Sequence, residues 1–156
     1  MRIIADLAAA RLILPDAAYC VSNLVRTLRD RTRRSHEVVL SIPDNKPYDP
    51  RPFPKGLWRV TGLDWQREKG FDSGTYGPVK IRTDAWQHVN VWELDADGDY
   101  LRETEKQVQD LGYWLHYSAS VTTLGCIRFA RPEDAIGAAE AVAEALKHEG
   151  VELEVV

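Results

Sequence analysis

His116 and Cys126 stand ten positions apart in the segment YWLHYSASVTTLGCIRF, in a chain with two cysteines and four histidines. A thiol becomes a nucleophile when a neighbouring base takes its proton, and an imidazole can later return that proton to a leaving amine. Gly125 precedes the cysteine and allows a tight turn, whose backbone N–H groups suit an oxyanion formed during acyl transfer. Arg128 adds a positive charge beside them. These parts fit cysteine-dependent acyl transfer. Taken alone, the spacing favours a second account: Cys126 as a small apolar residue in a buried strand, with His116 unrelated to it.

The other cysteine competes for the role. DAAYCVSNLVRTLRDRTRR reads as a helix capped by Asp16, with Ala17, Val21, Leu24, Val25 and Leu28 on one face. Cys20 then lies near the positive helix end, which favours a thiolate. With His88 downstream, that order resembles the NlpC/P60 or CHAP-type papain-like peptidases, although the D-C-S-G pattern is missing. The plainer reading makes Cys20 core packing. There is no CxxC or HExxH spacing, and no GK[ST] follows Gly70, Gly74 and Gly77, so neither a zinc site nor a phosphate loop is indicated. No cofactor is called for.

The elements that must position these residues are mostly strands. Residues 37–42, 57–62, 79–83, 88–94 and 113–117 carry β-type patterns, and VELEVV closes the chain as a strand. CIRFA reads as a strand end. Prolines 43, 47, 50, 52 and 54 make an extended loop, and Asp97-Gly98 marks a turn. RETEKQVQDLG is expected to be a short helix closed by Gly112. In RPEDAIGAAEAVAEALKHEG, Pro132 near N1, an acidic first turn and a terminal Gly150 predict a longer helix. The expected fold is mostly β with flanking helices (α+β), one domain over 1–156 with a helical region at 1–36.

The segment LHYSASVTTLGCIRF resembles the active-site stretch of the L,D-transpeptidase (YkuD-type) catalytic domain. Leu115-His116 matches its strand histidine. Thr123, Gly125, Cys126, Ile127 and Arg128 match its [S/T]-H-G-C-[I/V]-R motif, with Leu124 in place of the second histidine. PFPKGLWRV is similar to its T-P-x-G-x-[FW]-x-[IV] segment through Pro54, Gly56 and Trp58, and TYGPVKI to its Y-G-P stretch. The last helix and strand follow in the family's order, so the resemblance covers roughly 37–156. It implies a β-sandwich catalytic region there, acting on peptidoglycan stem peptides without a cofactor. Cys126 would attack, His116 would act as base, Gly125 would supply the oxyanion turn and Arg128 would steady the loop or a carboxylate. Tyr76, Trp114, Tyr117 and Thr123 would face substrate. Leu124, and a His116–Cys126 loop shorter than usual, also fit a non-catalytic structural component of a phage or secretion assembly.

The chain of 156 residues is long enough for one real core. A net charge of −4 offers no pull toward nucleic acid or anionic lipid, and no apolar run approaches the ~18 residues of a membrane span. Asp6 and Arg11 interrupt the apolar N-terminus, so it reads as folded protein and not as a signal peptide. A cell-wall site of action then implies delivery by a phage or secretion apparatus. The arginines at 26, 29, 31, 33 and 34 are a candidate docking element for that carrier, or a solvated face that completes the domain.

Overall fold

The structure, a computed structural model, describes residues 1–25, 51–66, 76–94, 96 and 100–156. The strand expected at 37–42, the prolines at 43, 47 and 50, the arginine run, His36, Gly70, Gly74 and the Asp97-Gly98 turn lie outside the described residues.

Where apolar residues alternate, the chain is extended. In order these strands are β1 (Arg2–Asp6), β2 (Arg11–Ile13), β3 (Ala18–Ser22), β4 (Gly56–Trp65), β5 (Val79–Thr83), β6 (Gln87–Leu94), β7 (Tyr100–Asp110), β8 (Trp114–Tyr117) and β9 (Ile127–Phe129). Helix α1 (Pro132–Leu146) and strand β10 (Glu152–Val155) follow. Eight strands close into a barrel in the order β1-β10-β4-β5-β8-β9-β3-β2, and β6 and β7 form a separate ribbon. The β1–β10 and β8–β9 pairs are parallel, and the other barrel pairs antiparallel. The mixed α+β class is therefore observed, but the sheet closes on itself instead of forming an open sandwich. Closure follows from β2, which pairs with both β1 and β3.

Two stretches expected to be helical hold strands among the described residues. Residues 18–22 pair with both β2 and β9, which places Tyr19 and Val21 against the core and leaves Cys20 exposed. Residues 102–110 pair with β6 as part of β7. Their Glu, Lys and Gln residues favour a helix in isolation, but a complete partner strand overrides so weak a preference. The first strands thus belong to the barrel itself.

Helix α1 forms as its sequence dictates: Pro132 opens it, and Glu133 and Asp134 occupy its first turn. Ala135, Ala138, Ala139 and Val142 are fully buried against an unbroken arc of strands, β4-β5-β8-β9-β3. Leu115, Ile127 and Phe129 are fully buried on the same side. Each such side chain contributes about 1.5–3 kcal/mol of burial, so β8 and β9 are anchored from beneath. Their alternate residues must then face outward. No helix among the described residues is long and apolar enough to cross a membrane.

Candidate active site

Strand register brings the outward residues of five strands into one row. Asp64 is paired with Lys80, Lys80 with His116, His116 with Arg128, and Arg128 with Ser22. Their strand neighbours Leu63, Ile81, Leu115, Ile127 and Val21 all join the core, so the row lies on the opposite face. Cys126 directly precedes β9, two positions before Arg128, and is half-buried between buried Gly125 and Ile127. The pairing of Leu115 with Ile127 places Cys126, just before β9, beside the start of β8, where its thiol lies near Gly112 and Tyr113.

His116 is 4% exposed. The Tyr76 ring packs edge-on against it at 5.2 Å. Its Nδ1–H donates to the Tyr117 carbonyl at 2.8 Å, which leaves Nε2 as the lone-pair nitrogen. Burial pushes the His116 pKa below its usual value, and the nearby Lys80 and Arg128 cations add to this, against the carbonyl bond. The imidazole is consequently neutral at pH 7 and has the protonation state of a base.

The Cys126 thiol leans on the Gly112 carbonyl at 3.6 Å. The turn before it is closely held. Gly125 has φ +125°, and an added Cβ would lie 2.7 Å from the Tyr113 ring and 2.8 Å from the Arg51 carbonyl. Thr123, expected at substrate, closes the turn. Its hydroxyl donates to the Cys126 carbonyl at 2.8 Å and accepts the Gly125 N–H at 3.3 Å. Gly125 N–H, expected as an oxyanion donor, thus serves the turn. At 3.3 Å that bond is longer than the ordinary range, so exchanging it for an anionic acceptor costs little.

Arg128 donates from Nε to the Ser118 carbonyl at 2.7 Å, and its guanidinium lies 5.8 Å from the Tyr117 ring centroid. It holds the start of the loop that leads to Cys126. Tyr117 packs against the core and against Gly77. Tyr76 and Trp114 flank Lys80, whose ammonium is 4.6 Å from each ring centroid and 3.7 Å from Asp64. Tyr76, Trp114, His116 and Arg128 thus gather on one side of the barrel, while Tyr117 packs against the core and Thr123 is drawn into the turn.

Cys20 and His88 do not form the arrangement expected for them. Cys20 is exposed on a strand, so no helix end favours its thiolate. His88 is exposed on the β6–β7 ribbon against Trp86. Two residues that matter here gave no sequence signal. Lys80 is an ordinary polar position in an alternating strand. Asn23 lies in a stretch whose spacing imitates a helix, yet its side chain bonds the Cys126 turn.

The chain is similar to a solved L,D-transpeptidase. That structure is L,D-transpeptidase 1 of Mycobacterium tuberculosis, matched at 17% identity and a TM-score of 0.42, over 99% of this chain and 58% of that one. This chain therefore spans little more than half of that protein's length. No family model matches the sequence, and no curated protein matches it.

Proposed function

We propose that this domain carries out cysteine-dependent acyl transfer on peptidoglycan stem peptides, as an L,D-transpeptidase or L,D-carboxypeptidase. The observation that supports the reading is a neutral, carbonyl-oriented His116 on β8, whose parallel partner β9 is directly preceded by Cys126. The ordered run of motifs from Pro54 to the last strand supports the choice of substrate class.

In this reading His116 Nε2 takes the Cys126 proton, and the thiolate attacks the carbonyl carbon of a diamino acid residue. The oxyanion is met by the amides of the Gly125–Cys126 turn. The C–N bond breaks, the departing D-alanine amine takes the proton from His116, and a thioester remains. An acceptor amine or a water then attacks, giving its proton to His116, and the thiolate leaves. Arg128 steadies the loop through Ser118. Tyr76 and Trp114 supply the aromatic wall.

A second reading, a non-catalytic member of a phage or secretion assembly, is favoured by one feature. The thiol rests on Gly112 and the imidazole is covered, with Leu124 at the position of the second histidine. Intact-mass analysis after incubation with a carbapenem, an inhibitor class of the resembled family, separates the two. Acyl transfer predicts a single adduct that Cys126→Ala removes and Cys20→Ala retains. Because Cys20 is exposed, its replacement is expected to change stability by no more than about 0.5 kcal/mol. No adduct, with Cys126 also inert to iodoacetamide, supports the structural role. An adduct on Cys20 would return the site to the papain-like reading.

The proposed place of action is the periplasm or cell wall, reached through a carrier that engages the N-terminal region. Expressed in a bacterium with and without an added export signal, the chain is expected to alter growth and cell shape only when exported. Equal effects from both versions reject a cell-wall target.

A further inference from the structure

We infer that Asn23 is the positioning residue of the Cys126 turn. Its Nδ2 donates to the carbonyls of Gly125 at 2.8 Å and Cys126 at 2.9 Å, residues more than a hundred positions away. Its Oδ1 accepts the N–H of Phe53 at 2.9 Å. One carboxamide therefore joins three distant segments, using two donors on one side and an acceptor on the other, a combination that neither aspartate nor leucine offers.

The surroundings make this bond set decisive for the thiol. The Cys126 carbonyl receives two donors, Asn23 Nδ2 and Thr123 Oγ1, so both of its lone pairs are used and the peptide plane is fixed. The chain just after β3 runs beside the turn, with Thr123 N–H bonded to the Leu24 carbonyl at 2.8 Å. Arg51, next to the segment Asn23 holds at Phe53, presses its carbonyl against Gly125. Asn23 thereby sets the orientation of the Cys126 peptide and seats Sγ against Gly112. The seating rests on geometry alone. Its value to catalysis rests on the acyl-transfer reading.

The test compares Asn23→Asp and Asn23→Ala with the wild-type chain. Methyl methanethiosulfonate labelling of Cys126 is measured relative to exposed Cys20 in the same molecule, between pH 5 and pH 8, with circular dichroism verifying the fold. At pH 8 the aspartate has no proton to donate and opposes two carbonyl dipoles, while alanine makes no bond. Both variants are expected to label Cys126 faster than wild type, on the order of tenfold, the size of one or two lost net hydrogen bonds. At pH 5 the aspartic acid, its pKa raised by the same carbonyls, regains a proton and donates again. Its labelling should fall toward wild type, and that of the alanine variant should not. Carbapenem acylation should move oppositely, slowing in both variants at pH 8.

Wild-type labelling of Cys126 in both variants, or no recovery of the aspartate variant in acid, overturns the positioning role. If the labelling pattern holds while the wild-type chain takes no carbapenem, the acyl-transfer reading fails and the positioning role stands.

Discussion

Gly125→Ala is expected to lower the melting temperature by about 10 °C or more. Two costs combine. The φ of +125° is one that L side chains rarely adopt, and such a residue stores about 1–3 kcal/mol. The new methyl group would also lie 2.7 Å from the Tyr113 ring and 2.8 Å from the Arg51 carbonyl, and overpacking costs about 1–3 kcal/mol. The ring has nowhere to go. It is 2% exposed and packs edge-on against Phe53 at 5.5 Å, and its hydroxyl donates to Asp110 and accepts from Gln87 Nε2 at 2.7 Å. A loss of ~4 kcal/mol is a large part of the 5–15 kcal/mol that holds a domain of this size, and each kcal/mol moves its melting point by roughly 2–4 °C. Gly150→Ala provides the control. Nothing lies within 4 Å of its would-be Cβ, so the change should stay within about 0.5 kcal/mol. A melting point for Gly125→Ala within ~3 °C of wild type would mean that the turn yields freely, and the held geometry argued for Cys126 would fall with it.

What the sequence disclosed follows a physical line between local and distant causes. VKIRT, the final helix and the closing strand announce themselves, because alternation, a proline at N1 and an acidic first turn act within a few residues. Residues 17–25 mislead because Ala17, Val21, Leu24 and Val25 meet helical spacing, whereas Tyr19 and Val21 meet the period of a strand. Only pairing with β2 and β9 decides between them. The charged β7 is settled likewise by β6. Barrel closure depends on register between strands far apart in sequence, which no local pattern encodes. The site divides in the same way. His116 and Cys126 were visible because their chemistry is rare in this chain. Lys80 was not, since its importance comes from the strand alongside. Asn23 was hidden because a carboxamide becomes a clamp only when carbonyls from another segment meet it. Thr123 was seen for its hydroxyl, which is used within the turn.

His116→Gln is expected to slow acylation of Cys126 by about 10²–10⁴-fold, the usual contribution of a positioned acid–base group. Glutamine keeps much of the volume beneath Tyr76 and can still bond the Tyr117 carbonyl, but it cannot take the thiol proton. The same substitution tests the charge state. In the unfolded chain His116 binds a proton near pH 6.5. In the folded protein its pKa is lower, chiefly through burial, with Lys80 and Arg128 adding to it. Between the two values the unfolded state holds more protons, so stability is lost as the pH falls from above 6.5 toward the folded value. Glutamine does not titrate. Denaturant midpoints at pH 7.5 and pH 5.5 should therefore show the wild-type chain losing more stability on acidification than His116→Gln, since carboxylates common to both cancel. The acid limb of the wild-type acylation rate should likewise lie below pH 6.5. A wild-type chain that gains stability relative to the variant in acid would mean that folding stabilises the imidazolium. A protonated ring cannot accept from Cys126, and the base role of His116 would be lost.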